Sequence, residues 1–152
     1  MIDEKVSTLA FAPVSLPKEG LSGNLSRSAA TFFDFVIDGV PLRPVLRTDD
    51  IGVLSDAWDS DLLARHLLLD ASIDDRLENR ALIYGCRECL DINCGGITAE
   101  ISKSVDRIRW ERIDRLSIDW IAGCDLEFEP IDAGPFTFDL AQYRTALQPF
   151  LR

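Results

Sequence analysis

The run from Leu82 to Leu116, LIYGCRECLDINCGGITAEISKSVDRIRWERIDRL, restricts the fold of this chain more than any other stretch. Leu82, Ile83 and Tyr84 form a short apolar run that ends at Gly85 and Cys86, as a buried strand does on entering a turn. A turn region then carries Cys86, Cys89 and Cys94 and closes on Gly95-Gly96, a pair free to take backbone angles that other residues avoid. From there Ile97, Ala99 and Ile101 alternate with Thr98, Glu100 and Ser102. After a polar break at Ser104 to Asp106, Ile108 and Trp110 alternate with Arg107, Arg109 and Glu111. Period 2 on both sides of a short break predicts a half-buried antiparallel hairpin.

The cysteines of this stretch are spaced C-x2-C-x4-C, and three chemistries fit that spacing. A zinc site needs four ligands, and Cys124 or His66 would have to supply the fourth, although neither brings a second paired spacing. Cys86-Arg87-Glu88-Cys89 has the form of a redox pair but lacks the strand-into-helix setting of a thioredoxin-like site. The plainest alternative is reduced cysteines packed as small, largely buried side chains. Spacing alone therefore assigns no metal and no cofactor. The run from Tyr84 through Thr98, followed by a hairpin with Trp110, resembles a group of uncharacterised bacterial proteins that share an aromatic-x-C-x-E-C-x-D-x-x-C-G-x-x-T pattern. The resemblance implies a small bacterial α/β domain. No activity is attached to the pattern, so no catalytic residue is carried over.

At 152 residues, with 47% hydrophobic and 28% charged content, the chain is expected to be a single domain over 1–152 with an ordinary core. The start, Met1-Ile-Asp-Glu-Lys, puts acids where a secretory leader needs bases, and no apolar run approaches the ~20 residues that span a bilayer. The expected location is the cytoplasm, with reduced thiols. Charge narrows the partners further. Twenty-six acidic against 16 basic residues give −10, which disfavours nucleic acid and anionic membrane surfaces and favours a cationic partner.

Elsewhere the patterning is uneven. A first strand is expected over Val6 to Val14, with Pro13 and Pro17 confining it to an edge, and a loop over Lys18 to Ser28. Over Thr31 to Leu46, Phe33, Phe35 and Ile37 alternate with Asp34 and Val36, and Asp38-Gly39 is a type I′ turn pair. The expected return strand from Val40 is shortened by Pro41 and Pro44. A helix near 60–69 is capped by Asp59 or Ser60, with Asp61 able to pair with Arg65 four residues on. A strand is expected near 125–129. A last helix over 139–149 carries an Asp139 cap, a reciprocal Gln142 and a Phe138–Tyr143 staple. Together these predict an α+β fold: a mostly antiparallel sheet built from hairpins, with two helices in a single layer on it.

No constellation of nucleophile, base and orienting group is visible, and the lone His66 sits among leucines, so no catalytic residue is assigned. What stands out is acidity in two tracts. Thr48 to Glu78 holds nine acids against two bases, and capping leaves Asp49, Asp50 and Asp56 unexplained. In Asp125-Leu-Glu-Phe-Glu, strict alternation puts Leu126 and Phe128 on one strand face and Asp125, Glu127 and Glu129 on the other, where like charges repel unless solvent or a cation lies beside them. The expectation is a small acidic cytoplasmic protein that binds and inhibits a basic protein. The best concrete role is an immunity protein that occludes a bacterial toxin domain, with Asp49, Asp50, Asp56, Asp125, Glu127 and Glu129 as partner contacts. The alternative is a zinc- or thiol-dependent protein or enzyme centred on Cys86, Cys89 and Cys94.

Overall fold

The computed structural model describes residues 5–20, 26–89, 91–121 and 123–152; the first four residues and part of the expected 18–28 loop lie outside the described residues. The fold is α+β and mostly antiparallel sheet. In chain order the strands are β1 (Leu9–Leu16), β2 (Glu19–Gly20), β3 (Ser26–Arg27), β4 (Ala30–Ile37), β5 (Val40–Pro41), β6 (Ile51–Gly52), β7 (Arg80–Gly85), β8 (Gly96–Lys103), β9 (Arg107–Asp119), β10 (Asp125–Ile131) and β11 (Phe136–Asp139). The α-helices are α1 (Leu42–Leu46), α2 (Ser60–Leu67) and α3 (Leu140–Leu147). The strands divide between a six-stranded sheet, ordered β10-β9-β8-β7-β6 with β11 also on β9, a three-stranded sheet β1-β4-β5, and the pair β2-β3.

The long hairpin is β8 and β9, turning at Ser104 to Asp106 as the alternation predicts. Its register slips by one residue where Glu100 and Ile101 face Arg112 and Trp110, leaving Glu111 as the extra residue of a bulge. A one-residue slip exchanges sheet faces. Trp110 and Ile113 therefore share a face with Ile101 and Ala99, while Arg112 and Asp114 turn to the face of Glu100 and Thr98. On that face Asp114 and Thr98 are fully buried.

The Asp38-Gly39 turn forms with positive φ at both residues, 52° and 82°, as a type I′ turn requires. The segment after this turn differs from the expected return strand. After two residues of β5 the chain enters α1, with Pro41 as its N-cap and Leu42 and Leu46, four apart, buried. Proline cannot donate to a ladder but suits the start of a helix, so the same residues that shorten the strand favour this outcome. The main partner of β4 is instead β1, in register from Leu9↔Ile37 to Leu16↔Ala30. Pro13 sits on the open side of β1, which pairs only with β4. The free edge of β1 is met at Leu9, whose amide donates to Gln142 Oε1 at 2.9 Å and whose carbonyl accepts from Gln142 Nε2 at 2.6 Å.

Gln142 thus spans to β1 instead of closing the expected reciprocal cap. Asp139 still caps α3 by accepting from the Gln142 amide at 3.1 Å, and the Phe138 and Tyr143 rings form the staple at 5.3 Å. Asp59 caps α2 in the same way, accepting from Leu62, and Asp61 meets Arg65 at 3.0 Å. The two sheets join through the segment after β6, where the Phe33 amide donates to the Leu54 carbonyl at 2.9 Å. Between them Phe35 lies among Phe11, Tyr84 and Trp110 at centroid distances of 5.2–5.6 Å. Each such buried aromatic contributes on the order of 2–3 kcal/mol by area removed from water. The Trp110 indole donates to the Tyr143 hydroxyl, which donates to the Leu67 carbonyl at 2.7 Å and ties α2, α3 and β9 together.

Candidate functional site

The acidic strand forms as predicted. In β10, Leu126 and Phe128 are half-buried and pack against the core, while Asp125, Glu127 and Glu129 are exposed. β10 pairs only with β9, and its outer edge is open among the described residues. Across the ladder Asp125 faces Asp119, Glu127 faces Ser117 and Glu129 faces Arg115. Asp125, Glu127 and Glu129 enter no ion pair with any described residue. Asp119 acts locally, through both its side chain and its backbone. Its carboxylate accepts from the Ile121 amide at 3.0 Å and its carbonyl from the Cys124 amide at 2.8 Å, which shapes the β9–β10 turn. At that turn Trp120 is 65% exposed and Ile121 99% exposed.

The ladder row Tyr84–Ile97–Arg115–Glu129 crosses the six-stranded sheet, so these side chains share one face. At its inner end the Tyr84 hydroxyl donates to the buried Asp34 carboxylate of β4, which also accepts from the Arg43 amide. Burial, and then the charge of Asp34, push the Tyr84 hydroxyl well above the usual tyrosine range, so this group stays a donor. Arg43 in turn binds the carbonyls of Asp50 at 2.8 Å and Asp49 at 3.1 Å. That holds the 49–50 segment within electrostatic reach of Arg115. Asp50 is half-buried and its carboxyl is pushed up, chiefly by burial, with Arg115 opposing and Asp49 adding to the rise. Arg115 therefore acts electrostatically on Asp50 and is the ladder partner of Glu129, a link between the acidic tracts that spacing does not reveal. Asp56 is exposed on another surface, a shallow depression with Ala30, Thr31 and Arg87.

His66 is a structural residue. Its Nδ1 lies 3.1 Å from the Ala71 carbonyl and its Nε2 accepts from the Leu82 amide at 2.9 Å, so the neutral ring with the proton on Nδ1 satisfies both. Burial holds its pKa below the usual histidine value. Neither nitrogen is left to ligate a metal or take a proton from a substrate.

The cysteines do not pack as small buried side chains. Cys89 and Cys94 are exposed and joined as a disulfide, and Cys86 is a half-buried free thiol. All three sulfurs lie within 4.8 Å of one another. Cys124, the fourth ligand considered from sequence, is not in that group; its carbonyl is held by Arg76 at 2.8 Å. Beside the loop is a cleft of about 430 Å³ walled by Trp58, Leu62, Ile73, Leu82, Ile92 and Cys89. Trp58 lies directly on Gly85, where a Cβ would fall 2.2 Å from its ring.

No family model, curated protein or solved structure matches the chain. No helix among the described residues is long and apolar enough to cross a membrane.

Proposed function

We propose that the protein is a binding and inhibitory protein that captures a basic partner protein, and that its concrete role is that of an immunity protein neutralising a bacterial toxin domain in the cytoplasm. The observation that carries this reading is the carboxylate row of β10: Asp125, Glu127 and Glu129 are exposed on an open edge strand, and none forms an ion pair with a described residue, Glu129 having Arg115 opposite it in the ladder. Asp50 lies within electrostatic reach of Arg115 on the same sheet, so the second acidic tract adjoins this row. In a chain of net charge −10 such a face raises the encounter rate with a cationic protein and orients its approach. Trp120 and Ile121 at the end of the hairpin supply the apolar, desolvating contact that charge alone lacks, since interface energy concentrates in a few aromatic and aliphatic anchors.

The mechanism needs no proton transfer. The carboxylates meet Arg and Lys of the partner's cleft and the hairpin blocks it. The test is affinity capture from the native bacterium with the immobilised chain, run beside a variant carrying Asp125→Lys, Glu127→Lys and Glu129→Lys. One basic protein recovered in stoichiometric amount with the wild type and lost with the variant supports the proposal. Equal recovery on both removes this face from it.

A further inference from the structure

A disulfide uses two sulfurs, and the loop between β7 and β8 gathers three. We propose that, once reduced, Cys86, Cys89 and Cys94 form a three-thiolate site for a zinc ion, with the fourth coordination position left to solvent.

The placement of Cys86 and Cys94 does not depend on the Cys89–Cys94 bond. Gly85 and Gly96 pair as the last rung of the β7–β8 ladder, so the sheet itself brings the two ends of the loop together. Cys86 follows that rung on one strand, and Cys94 precedes it by two residues on the other. Between Cys94 and the sheet the chain turns through Gly95 at φ 87° and Gly96 at φ 158°. A Cβ at these positions would lie 2.9 Å from the Leu116 carbonyl oxygen and 2.5 Å from that of Tyr84, so no side chain fits where the backbone folds Cys94 back over Cys86.

The middle of the loop is held by its own bonds. Asp91 accepts from the Asn93 amide through Oδ1 and from the Cys94 amide through its carbonyl, both at 2.9 Å, and the Gly95 amide donates to the Ile92 carbonyl at 3.0 Å. Glu88 accepts from the amide and hydroxyl of Ser28, and Arg87 donates to the carbonyls of Ser28 and Pro17. Cys86 and Cys94 therefore sit on backbone fixed by other contacts, as a metal site requires, and Cys89 follows Glu88, whose carboxylate is held by Ser28.

The donor set selects the ion. Three sulfurs and no carboxylate or imidazole favour a thiophilic ion over magnesium or calcium. In a tetrahedral zinc site with Zn–S near 2.3 Å the sulfurs stand roughly 3.8 Å apart; the Cys89 and Cys94 sulfurs part when their bond is reduced, and the Cys86 sulfur already lies within 4.8 Å of both. His66 is excluded as a fourth ligand because both nitrogens are bonded to backbone. Cys124 lies outside the group. Cys89 is part of the wall of the adjoining cleft, which gives solvent and small ligands access to the ion. Three protein ligands with an open position is the arrangement zinc takes where it does chemistry.

The experiment uses the full chain. A phosphine reductant opens the disulfide: the phosphine takes oxygen from water and becomes the phosphine oxide, and two electrons and two protons pass to the sulfurs of Cys89 and Cys94. The reduced protein is then titrated anaerobically with Co²⁺. The site predicts one ion per chain, thiolate-to-cobalt charge transfer in the near ultraviolet, the strong visible bands of tetrahedral cobalt, and bleaching of both by equimolar Zn²⁺. Alkylation read by peptide mass spectrometry tests the ligands in the wild-type chain, without relying on variants to fold. Zinc should protect Cys86, Cys89 and Cys94 together and leave Cys124 unchanged. Single variants Cys86→Ser, Cys89→Ser and Cys94→Ser should each weaken binding by at least tenfold, with Cys124→Ser neutral. Absence of the cobalt spectrum in reduced, folded protein overturns the proposal, and so does zinc protection of Cys124, which would make the site a closed four-thiolate one. Neither outcome bears on the acidic face, whose test needs no metal.

Discussion

Asp114 offers the sharpest test of how this sheet is held together. It is 0% exposed, and neither carboxylate oxygen has a well-aligned hydrogen bond among the described residues. Its compensation is ionic: Arg80 Nε at 3.6 Å and Arg112 Nε at 2.9 Å. Arg112 is half exposed and can return to water, whereas the Arg80 side chain is 16% exposed and its guanidinium carbon sits over the Phe128 ring, 3.9 Å from the centroid. Asp114→Ala therefore strands Arg80. Removing one partner of a buried pair costs about 3–5 kcal/mol, and Glu100, 3.8 Å from Arg80, holds the loss to about 3 kcal/mol. With a urea slope near 2 kcal/mol/M, the midpoint should fall by roughly 1.5 M. Fluorescence of the buried Trp110 is a suitable probe. The partner experiment is Asp114→Leu with Arg80→Met, which removes both charges and should return to within about 1 kcal/mol of wild type, because buried ion pairs gain little over apolar residues of similar size. If the single variant loses less than about 1 kcal/mol, Arg80 is not stranded and this reasoning is wrong. It is equally wrong if the double variant is as unstable as the single one.

Three further predictions rest on single contacts. His66 has a folded-state pKa below its ordinary value of 6.5, so its contribution to stability is complete above that value. The contribution is lost as pH falls below 6.5, where the unfolded chain takes the proton first; the urea midpoint of wild type should decline between neutrality and pH ~5.5 more steeply than that of His66→Gln. Gly85→Ala pushes a methyl into the Trp58 ring and should cost about 1–3 kcal/mol by thermal or urea melting, with a change in Trp58 emission. Gln142→Leu deletes both bonds to the Leu9 backbone, and should cost about 1–2 kcal/mol and speed hydrogen exchange at the Leu9 amide.

Local signals carried well from sequence to structure where short-range chemistry decides the outcome. Asp38-Gly39 forms its turn, Asp59 and Asp139 form their caps, and Asp125 to Glu129 alternates as the pattern requires. Long-range choices were hidden. Nothing near β4 says that its partner is β1, earlier in the chain, rather than the segment after the turn. Ile51–Gly52 is too short to show a period. The bulge at Glu111 takes Asp114 off the face of Trp110, where unbroken alternation would put it, and onto that of Thr98 and Glu100, where it is buried all the same. Gln142 sits at the right position for a capping box, but the unpaired edge of β1 offers it two bonds instead of one. For the candidate site, the exposed row on β10 was legible because strand period fixes it. The approach of Asp50 to Arg115 and the convergence of the three sulfurs were not, since both depend on which strands are neighbours.

The most direct measurement of the binding role is the association rate of the captured partner as a function of ionic strength, for wild type and for the chain carrying Asp125→Lys, Glu127→Lys and Glu129→Lys. Each reversal shifts the net charge of −10 by two units on an exposed edge strand. Electrostatic steering raises association rates by roughly 10- to 1,000-fold. The wild-type rate should fall steeply with salt, and the variant should associate at least tenfold more slowly at low salt with a flatter dependence. Equal rates and equal salt slopes for the two proteins would mean that the acidic row does not guide the partner.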